Sequence, residues 1–330
     1  MRDKIILSIC MPTYNRAGHI ERQLRYFESE MEEELIGKVE VIISNNASRD
    51  NTESVLKSYV GRYNWLRINN NKTNIGGYAN MQLLLSMAGG TYIWLPGDDD
   101  YLKKGLMKKI VKILESETIA YLYLSRRTIN EKTNIICTEG KNHNIRYDMP
   151  ISVTHKELTD LVCENFGDLK FQTSSIFLRS AVLRYNEEVQ VYSPEAGANC
   201  HSLFRAIRSM QDGQAFFISD ISVLNGNEIT WGDQLVDYIT IYDAEFSRGL
   251  INWNFTEKEC ARICNRQLAV AVAFFLTHKE VMEAWRKKGK PGWSIRLIPN
   301  ILFLGLRKCC RKFGWSKTFS VVDVELEDFL

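Results

Sequence analysis

The sequence predicts an α/β protein with a mainly parallel, doubly wound sheet and a mostly helical C-terminal region. Three observations predict it. Short apolar runs rich in β-branched residues recur through the first 125 positions, amphipathic stretches of helical period separate them, and polar loops follow the ends of the runs.

Residues 5–11 are a nearly continuous apolar run, the pattern of a strand covered on both faces. Tyr14, Asn15 and Arg16 turn away from it. Ile20, Leu24 and Phe27 then repeat at helical spacing, and residues 39–43 form the next buried strand. Asp50 and Thr52 are N-cap candidates for a helix carrying Val55, Leu56, Tyr59, Val60 and Tyr63, and residues 65–68 resume a strand. Gly76 and Gly77 open a helix through Met81, Leu84 and Leu85, with Gly89 and Gly90 placed as C-terminal glycines. Residues 91–95 are the fourth strand. It runs into Pro96, Gly97 and three aspartates, after which 102–114 is an amphipathic helix and 120–124 a fifth strand. Beyond position 128 the pattern loosens, with a strand at 173–178, a helix at 201–210 and a strand at 215–218. The last third is helical, most clearly at 261–276 and 297–312, with a break at Pro291 and Gly292. This divides the chain into residues 1–225, with halves 1–125 and 126–225, and a helical region at 226–330.

At 330 residues, 45% hydrophobic and 25% charged, the chain can bury a sizeable core and is not a disordered protein. A formal net charge of +2, from 42 basic and 40 acidic residues, excludes an overall electrostatic signature of nucleic-acid binding. The eight cysteines form neither zinc-type CxxC pairs nor a disulfide scaffold, which fits a reducing cytosol. The N-terminal apolar run stops at Pro12, too short for a secretory leader. The longest uncharged apolar stretch, residues 268–276, is about half of the roughly 20 residues that span a bilayer.

In an open α/β sheet, ligands gather outside the carboxyl ends of the strands, where helix N-termini aim free N–H groups at anions. Three polar segments follow such ends: residues 12–16, residues 44–50, and Asp98, Asp99 and Asp100. Adjacent carboxylates repel unless a cation neutralises them, so the triplet at a strand end points to a metal. All-oxygen ligands select Mg²⁺ or Mn²⁺, which keep waters and accept substrate phosphates, implying a diphosphate ligand. The plainer alternative is a solvated turn whose aspartates cap the following helix.

The segments PTYNR at 12–16, VIISNNASRDNT at 41–52, NIGGYAN at 74–80 and YIWLPGDDDYLKKG at 92–105 occur together and in this order. In them the sequence resembles the family 2 glycosyltransferases of the GT-A fold. The resemblance implies a metal-dependent, inverting transfer of a hexosyl or deoxyhexosyl group from a nucleoside-diphosphate sugar. It implies nucleotide contacts from Pro12, Thr13, Tyr14, Arg16, Asn45, Lys72, Asn74, Asp98 and Asp99, and a metal on Asp98, Asp99 and Asp100. The family usually has aspartate where this chain has Asn45, which leaves UDP, CDP, GDP and dTDP donors open. Family members draw the catalytic base from an acidic residue well beyond the metal motif, near the start of a helix. This places the role on Glu195, with Asp212 and Asp168 as substitutes and His201 as an acceptor contact. The plainer reading of Glu195 is a surface or helix-cap residue.

Residues 293–315 combine Arg296, Arg307, Lys308, Arg311 and Lys312 with Trp293, Phe303, Phe313 and Trp315, a composition suited to a helix in the headgroup region of an anionic membrane. With the resemblance, this predicts a cytoplasmic protein peripheral on the inner membrane face. Its acceptor would be a glycan linked to undecaprenyl diphosphate, in surface polysaccharide or O-antigen synthesis. Two alternatives are a nucleotidyltransferase, which would need a glycine-rich phosphate loop that residues 12–16 lack, and a non-catalytic sugar-nucleotide-binding protein.

Overall fold

Alternation along each strand sorts its side chains onto two apolar faces. In the first strand Leu7, Ile9 and Met11 join one core and Cys10 the other. In the second, Val39, Val41 and Ile43 point with the first group and Ile42 against them. A sheet apolar on both faces is stable only with helices on both, so the sequence pattern leads to three layers. The computed structural model describes residues 5–130, 135–137, 148–169, 172–190, 201–226, 253–263 and 326–329.

Among these, ten strands form one sheet. They are β1 (Leu7–Thr13), β2 (Val39–Asn45), β3 (Leu66–Asn70), β4 (Tyr92–Trp94), β5 (Tyr101–Leu102), β6 (Ile119–Asn130), β7 (Ile135–Cys137), β8 (Pro150–Ile151), β9 (Ser175–Leu178) and β10 (Gln214–Gly226). The order is β3-β2-β1-β4-β9-β6-β10-β5, with β7 beside β6 and β8 beside β10. The helices are α1 (Ala17–Glu30), α2 (Thr52–Tyr59), α3 (Gly77–Met87), α4 (Leu106–Ser116), α5 (His155–Leu169), α6 (Arg179–Gln190) and α7 (His201–Asp212). Ile20, Leu24 and Phe27 of α1, Leu56 of α2 and Ile110 and Leu114 of α4 pack on the face of Leu7 and Ile9. Leu84 of α3, Val162 of α5, Tyr185 of α6 and Ile207 of α7 pack on the face of Cys10 and Ile42.

The mainly parallel, doubly wound expectation holds for the half that carries β1 to β4. The structure modifies it elsewhere. β9 pairs antiparallel with both β4 and β6, so it is a reversed strand inserted near the sheet's middle. The helix expected from position 102 starts at Leu106, because Tyr101 and Leu102 extend to pair with Leu224 and Val223 of β10. Gly89 and Gly90 do not terminate α3 through a left-handed cap. A Cβ at Gly90 would lie 2.7 Å from the backbone nitrogen of Ser8, so its smallness permits close approach to β1. Helices α5 and α6 were not legible in the sequence. The expected helix at 261–276 is described only to residue 263, and the one at 297–312 lies outside the described residues.

Strand order now locates the site. From β1 the chain proceeds through α1 and α2 to β2 and β3 on one side, then crosses by α3 on the opposite face to β4 on the other side of β1. The sheet's direction of growth therefore reverses between β1 and β4, and their carboxyl ends bound a crevice.

Candidate functional site

The two strand ends that bound the crevice are tied together by their side chains. Thr13, the last residue of β1, donates its hydroxyl to Oδ2 of Asp98 at 2.7 Å. Asp98 is 9% exposed, and burial together with the nearby negative charge of Asp99 raises its carboxyl to about 7, against the opposing pull of the Thr13 bond and Arg16. Among the described residues its other oxygen has no hydrogen-bond partner.

Asp100 is turned inward. Its Oδ2 accepts from Thr173 Oγ1 at 2.5 Å and from the Gly97 backbone nitrogen at 2.8 Å, and its Oδ1 accepts from Asn225 Nδ2 at 2.7 Å. Burial, then repulsion from Asp99, raises it to about 6 despite these bonds. Gly97 is required here, since a Cβ would meet Asp100 Oδ2 at 2.6 Å and Asp99 Oδ1 at 2.7 Å. The turn's carbonyls are held from α1: Gln23 Nε2 donates to the oxygens of Asp98 and Asp100, and Arg22 Nη2 reaches the same pair while its guanidinium lies 3.8 Å from the Tyr101 ring centroid. The helix-cap alternative for the triplet does not apply. The N-terminus of α4 is capped by Glu30, whose oxygens accept from the nitrogens of Gly105 at 2.7 Å and Met107 at 3.4 Å.

Among the described residues, no group of three or more His, Cys, Asp or Glu side chains converges on a point that could hold a metal. The reason is the inward turn of Asp100, which leaves Asp98 and the half-buried Asp99 as the carboxylates with unbonded oxygens. This donor set does not make a closed metal cage. It fits an ion that takes one or two protein carboxylates and completes its shell with water and substrate phosphate.

The loops after β1 and β2 are zipped to each other. Asn15, in the left-handed region at φ 54°, donates its backbone N–H to Ser48 Oγ and accepts from the Arg49 nitrogen, both at 2.8 Å. Asp50 accepts from the Thr52 hydroxyl, from Thr52 N at 3.0 Å and from Ala17 N at 3.2 Å; burial pushes its carboxyl up, but these bonds, the hydroxyl's foremost, hold it below the usual range. Pro12 pairs in register with Ser44 and Thr13 with Asn45, while Tyr14 is 39% exposed at the crevice lip. Arg16 lies close enough to Asp98 to favour its ionised form.

Asparagines organise the edge beyond β2. Asn45, 2% exposed, accepts from Ser48 N at 3.1 Å and donates to Asn70 Oδ1 at 3.0 Å. Asn46 accepts from Ile75 N and donates to Asn74 Oδ1, which also accepts from Gly76 N. Asn71 donates to Asn46 and Asn80, and Asn80 exchanges bonds with Ser44. Thus Asn74 serves its own loop at the mouth of α3, and Lys72 is exposed beside it. Gln23, Asn70, Asn71, Asn80, Thr173 and Asn225 were not found from the sequence. The only available signal was the asparagine density between 69 and 80, since the others come from distant positions.

Glu195 lies outside the described residues. His201 begins α7, but its side chain is not among those described, nor is that of Asp168. Asp212 sits at the opposite end of α7 from His201, paired with Arg184 at 2.5 Å and Arg208 at 3.2 Å. Residues 293–315 are also outside the description. Among the described residues no helix is long and apolar enough to cross a membrane.

The model of glycosyl transferase family 2 matches residues 8–170. The abequosyltransferase RfbV of Salmonella typhimurium is 34% identical over 119 residues, 36% of this chain and 35% of that protein. An uncharacterized glycosyltransferase of Mycoplasma genitalium, MG025, is 29% identical over 129 residues, 38% of this chain and 43% of that one. The chain thus spans about a third to two fifths of the length of these curated relatives. Among solved structures, residues 1–349 of TarS from S. aureus in complex with UDP superpose with a TM-score of 0.61 at 15% identity, covering 90% of this chain and 79% of that one. The mannosyltransferase PcManGT from Pyrobaculum calidifontis, in complex with GDP-Man and Mn²⁺, gives 0.53 at 14%, covering 93% and 82%. The fold is that of the GT-A glycosyltransferases.

Proposed function

Residues 8–170 belong to glycosyl transferase family 2, and from that premise we propose that this chain is a metal-dependent inverting transferase of a sugar from a nucleoside diphosphate. The observation that carries the reading is the Thr13–Asp98 bridge. It puts the nucleotide loop after β1 and the acidic turn after β4 on the two sides of one crevice, at the point where the sheet changes direction. Its solved structural neighbours include complexes with UDP and with GDP-Man and Mn²⁺, which supports a sugar-nucleotide donor and a divalent ion.

Each residue then has a task. Tyr14 offers an aromatic face at the crevice lip, and Pro12, Arg16, Asn45, Lys72 and Asn74 shape the nucleoside end. Asp98 and Asp99 are placed to hold Mn²⁺ or Mg²⁺, whose contribution when bound is to offset the charge developing on the departing diphosphate. Asp100 supports that turn from behind and is a positioning residue. Glu195 takes the proton from the acceptor hydroxyl, with His201 at the acceptor side.

We assign residues 1–225 to the transferase domain, a division supported by the end of β10 at Gly226. The helical region at 226–330 would carry a lipid-linked acceptor to the site by lying on an anionic membrane surface through residues 293–315. RfbV, a named sugar transferase among the relatives, supports a role in surface polysaccharide synthesis. The test is a thermal-shift screen of nucleoside diphosphates and sugar nucleotides with and without Mn²⁺. A rise in melting temperature requiring both nucleotide and metal is expected; no response to any of them overturns the reading. Sedimentation with anionic liposomes tests the membrane assignment separately, and an unbound protein overturns it.

A further inference from the structure

Residues 101–104, which follow the acidic turn, are held from two directions. Tyr101 and Leu102 pair with Leu224 and Val223 of β10, and the Lys103 nitrogen donates to Ser222 O at 3.0 Å. The second set of bonds comes from a short turn at Leu326–Phe329. The Lys104 nitrogen donates to Asp328 O and Lys104 Nζ to Glu327 O, both at 2.9 Å, the latter across 223 positions of sequence. Beside these bonds Phe329, 3% exposed, fills a small apolar cluster with Ile129 of β6, Ile136 of β7 and Leu224 of β10, and Tyr101 and Ile221 pack against it. Two of these residues are chain neighbours of groups that shape the acidic turn. Tyr101 follows Asp100, and its ring carries the Arg22 guanidinium that reaches the carbonyls of Asp98 and Asp100. Leu224 precedes Asn225. Successive strand residues point to opposite faces, so seating Leu224 in the cluster turns Asn225 toward Asp100. Gly226 then meets the turn itself, where a Cβ would lie 3.2 Å from Asp99 O.

We propose that residues 326–329 clasp the acidic turn, and that Phe329 is a positioning residue for the metal and diphosphate held there. The proposal rests on the donor-site reading above. An ion bound through one or two protein carboxylates loses affinity in proportion to the time its turn spends out of place. Removing the Phe329 ring takes a packing partner from Tyr101 and Leu224 and the anchor from the Lys104 bonds. The turn then opens locally while the sheet stays folded, because the two large cores do not depend on this cluster.

The experiment compares the full chain with its Phe329→Ala, Phe329→Leu and Lys104→Met variants. Amide hydrogen exchange over residues 98–104 should be faster in Phe329→Ala and, to a smaller extent, in Lys104→Met. Protection of β1 and β2 should be unchanged, and Phe329→Leu should resemble the unsubstituted chain. Titration with UDP, CDP, GDP and dTDP in the presence of Mn²⁺ should show about tenfold weaker binding in Phe329→Ala, as when the competent turn is populated about a tenth of the time. Nucleotide binding without metal should not change, which a general loss of stability would not reproduce. Unchanged exchange at residues 98–104 in both Phe329→Ala and Lys104→Met overturns the clasp. Faster exchange with unaltered Mn²⁺-dependent binding overturns the positioning role. Should Phe329→Ala unfold as a whole, Lys104→Met, at an exposed position, decides both points. If the unsubstituted chain binds none of the four nucleotides, the donor-site reading and the positioning role fall together, and exchange still decides whether Phe329 holds the turn.

Discussion

Thr13 and Asp98 are 85 residues apart in sequence, yet the Thr13 hydroxyl donates to an Asp98 carboxylate oxygen at 2.7 Å across the β1–β4 crevice. This bond couples the loop after β1 to the acidic turn after β4. It also accounts for part of the cost of keeping Asp98 out of water.

Thr13→Val should leave Asp98 without that donor while preserving shape. A hydrogen bond to a charged group contributes about 1.5–3 kcal/mol, so urea denaturation at pH 8.5, above the raised Asp98 value, should show a loss of that order, and Thr13→Ser should restore most of it. An unchanged midpoint for Thr13→Val would show that the bond contributes nothing in solution.

The carboxylates of the triplet should separate by role. Asp98→Asn and Asp99→Asn should abolish the Mn²⁺-dependent part of nucleotide binding with little effect on folding, because each has a carboxylate oxygen without a hydrogen-bond partner among the described residues and an amide keeps the shape. Asp100→Ala should instead lower stability by about 2–4 kcal/mol, since Thr173, Gly97 N and Asn225 lose their common acceptor. Denaturation curves and Mn²⁺ titrations on the same three variants make the comparison.

The raised carboxyls set a pH dependence. Asp98 at about 7 and Asp100 at about 6 retain protons in the folded, metal-free chain that the unfolded chain has already released. Between pH 4 and 7 the folded state therefore binds more protons, and these two groups make stability fall as pH rises. Mn²⁺ competes with those protons, so its stabilising effect should grow from pH 5 to 7.5. Melting temperatures across that range with EDTA and with Mn²⁺ test both signs; a metal effect independent of pH would contradict them.

Glu195→Gln should reduce transfer by roughly 10²–10⁴-fold, the usual contribution of a general base. Nucleotide binding by calorimetry should be unchanged. A near-normal turnover number would remove Glu195 from the role.

Strands β1, β2 and β4 were readable because each buries both faces and so runs as a continuous apolar word, and α1 to α3 because their apolar positions repeat with helical period; the edge strand β3, half-buried and exposed in turn, was readable only from Trp65, Leu66 and Ile68 at its start. Tyr14, Asn45 and Asp98 stood out as candidates because they lie at or just beyond the carboxyl ends of β1, β2 and β4. The reversed β9 was not readable as such, since four residues of buried strand look the same in either direction. Gln23, Thr173 and Asn225 escaped for another reason. Each is an ordinary polar residue in its local setting, and its role as a partner of the acidic turn exists only once α1, β9 and β10 have been brought around it.

The order of the residues was by itself enough to determine a layered α/β architecture with polar segments at the strand ends, because periodicity and the residues that follow a strand are local properties carried along the chain. Which carboxylate of the triplet is turned inward, how the asparagines beyond β2 bond one another, and what caps α4 were decided by tertiary structure alone. These depend on hydrogen bonds between groups up to 125 positions apart, as in Asn225 to Asp100. Local sequence cannot encode the direction in which a side chain will find its partner.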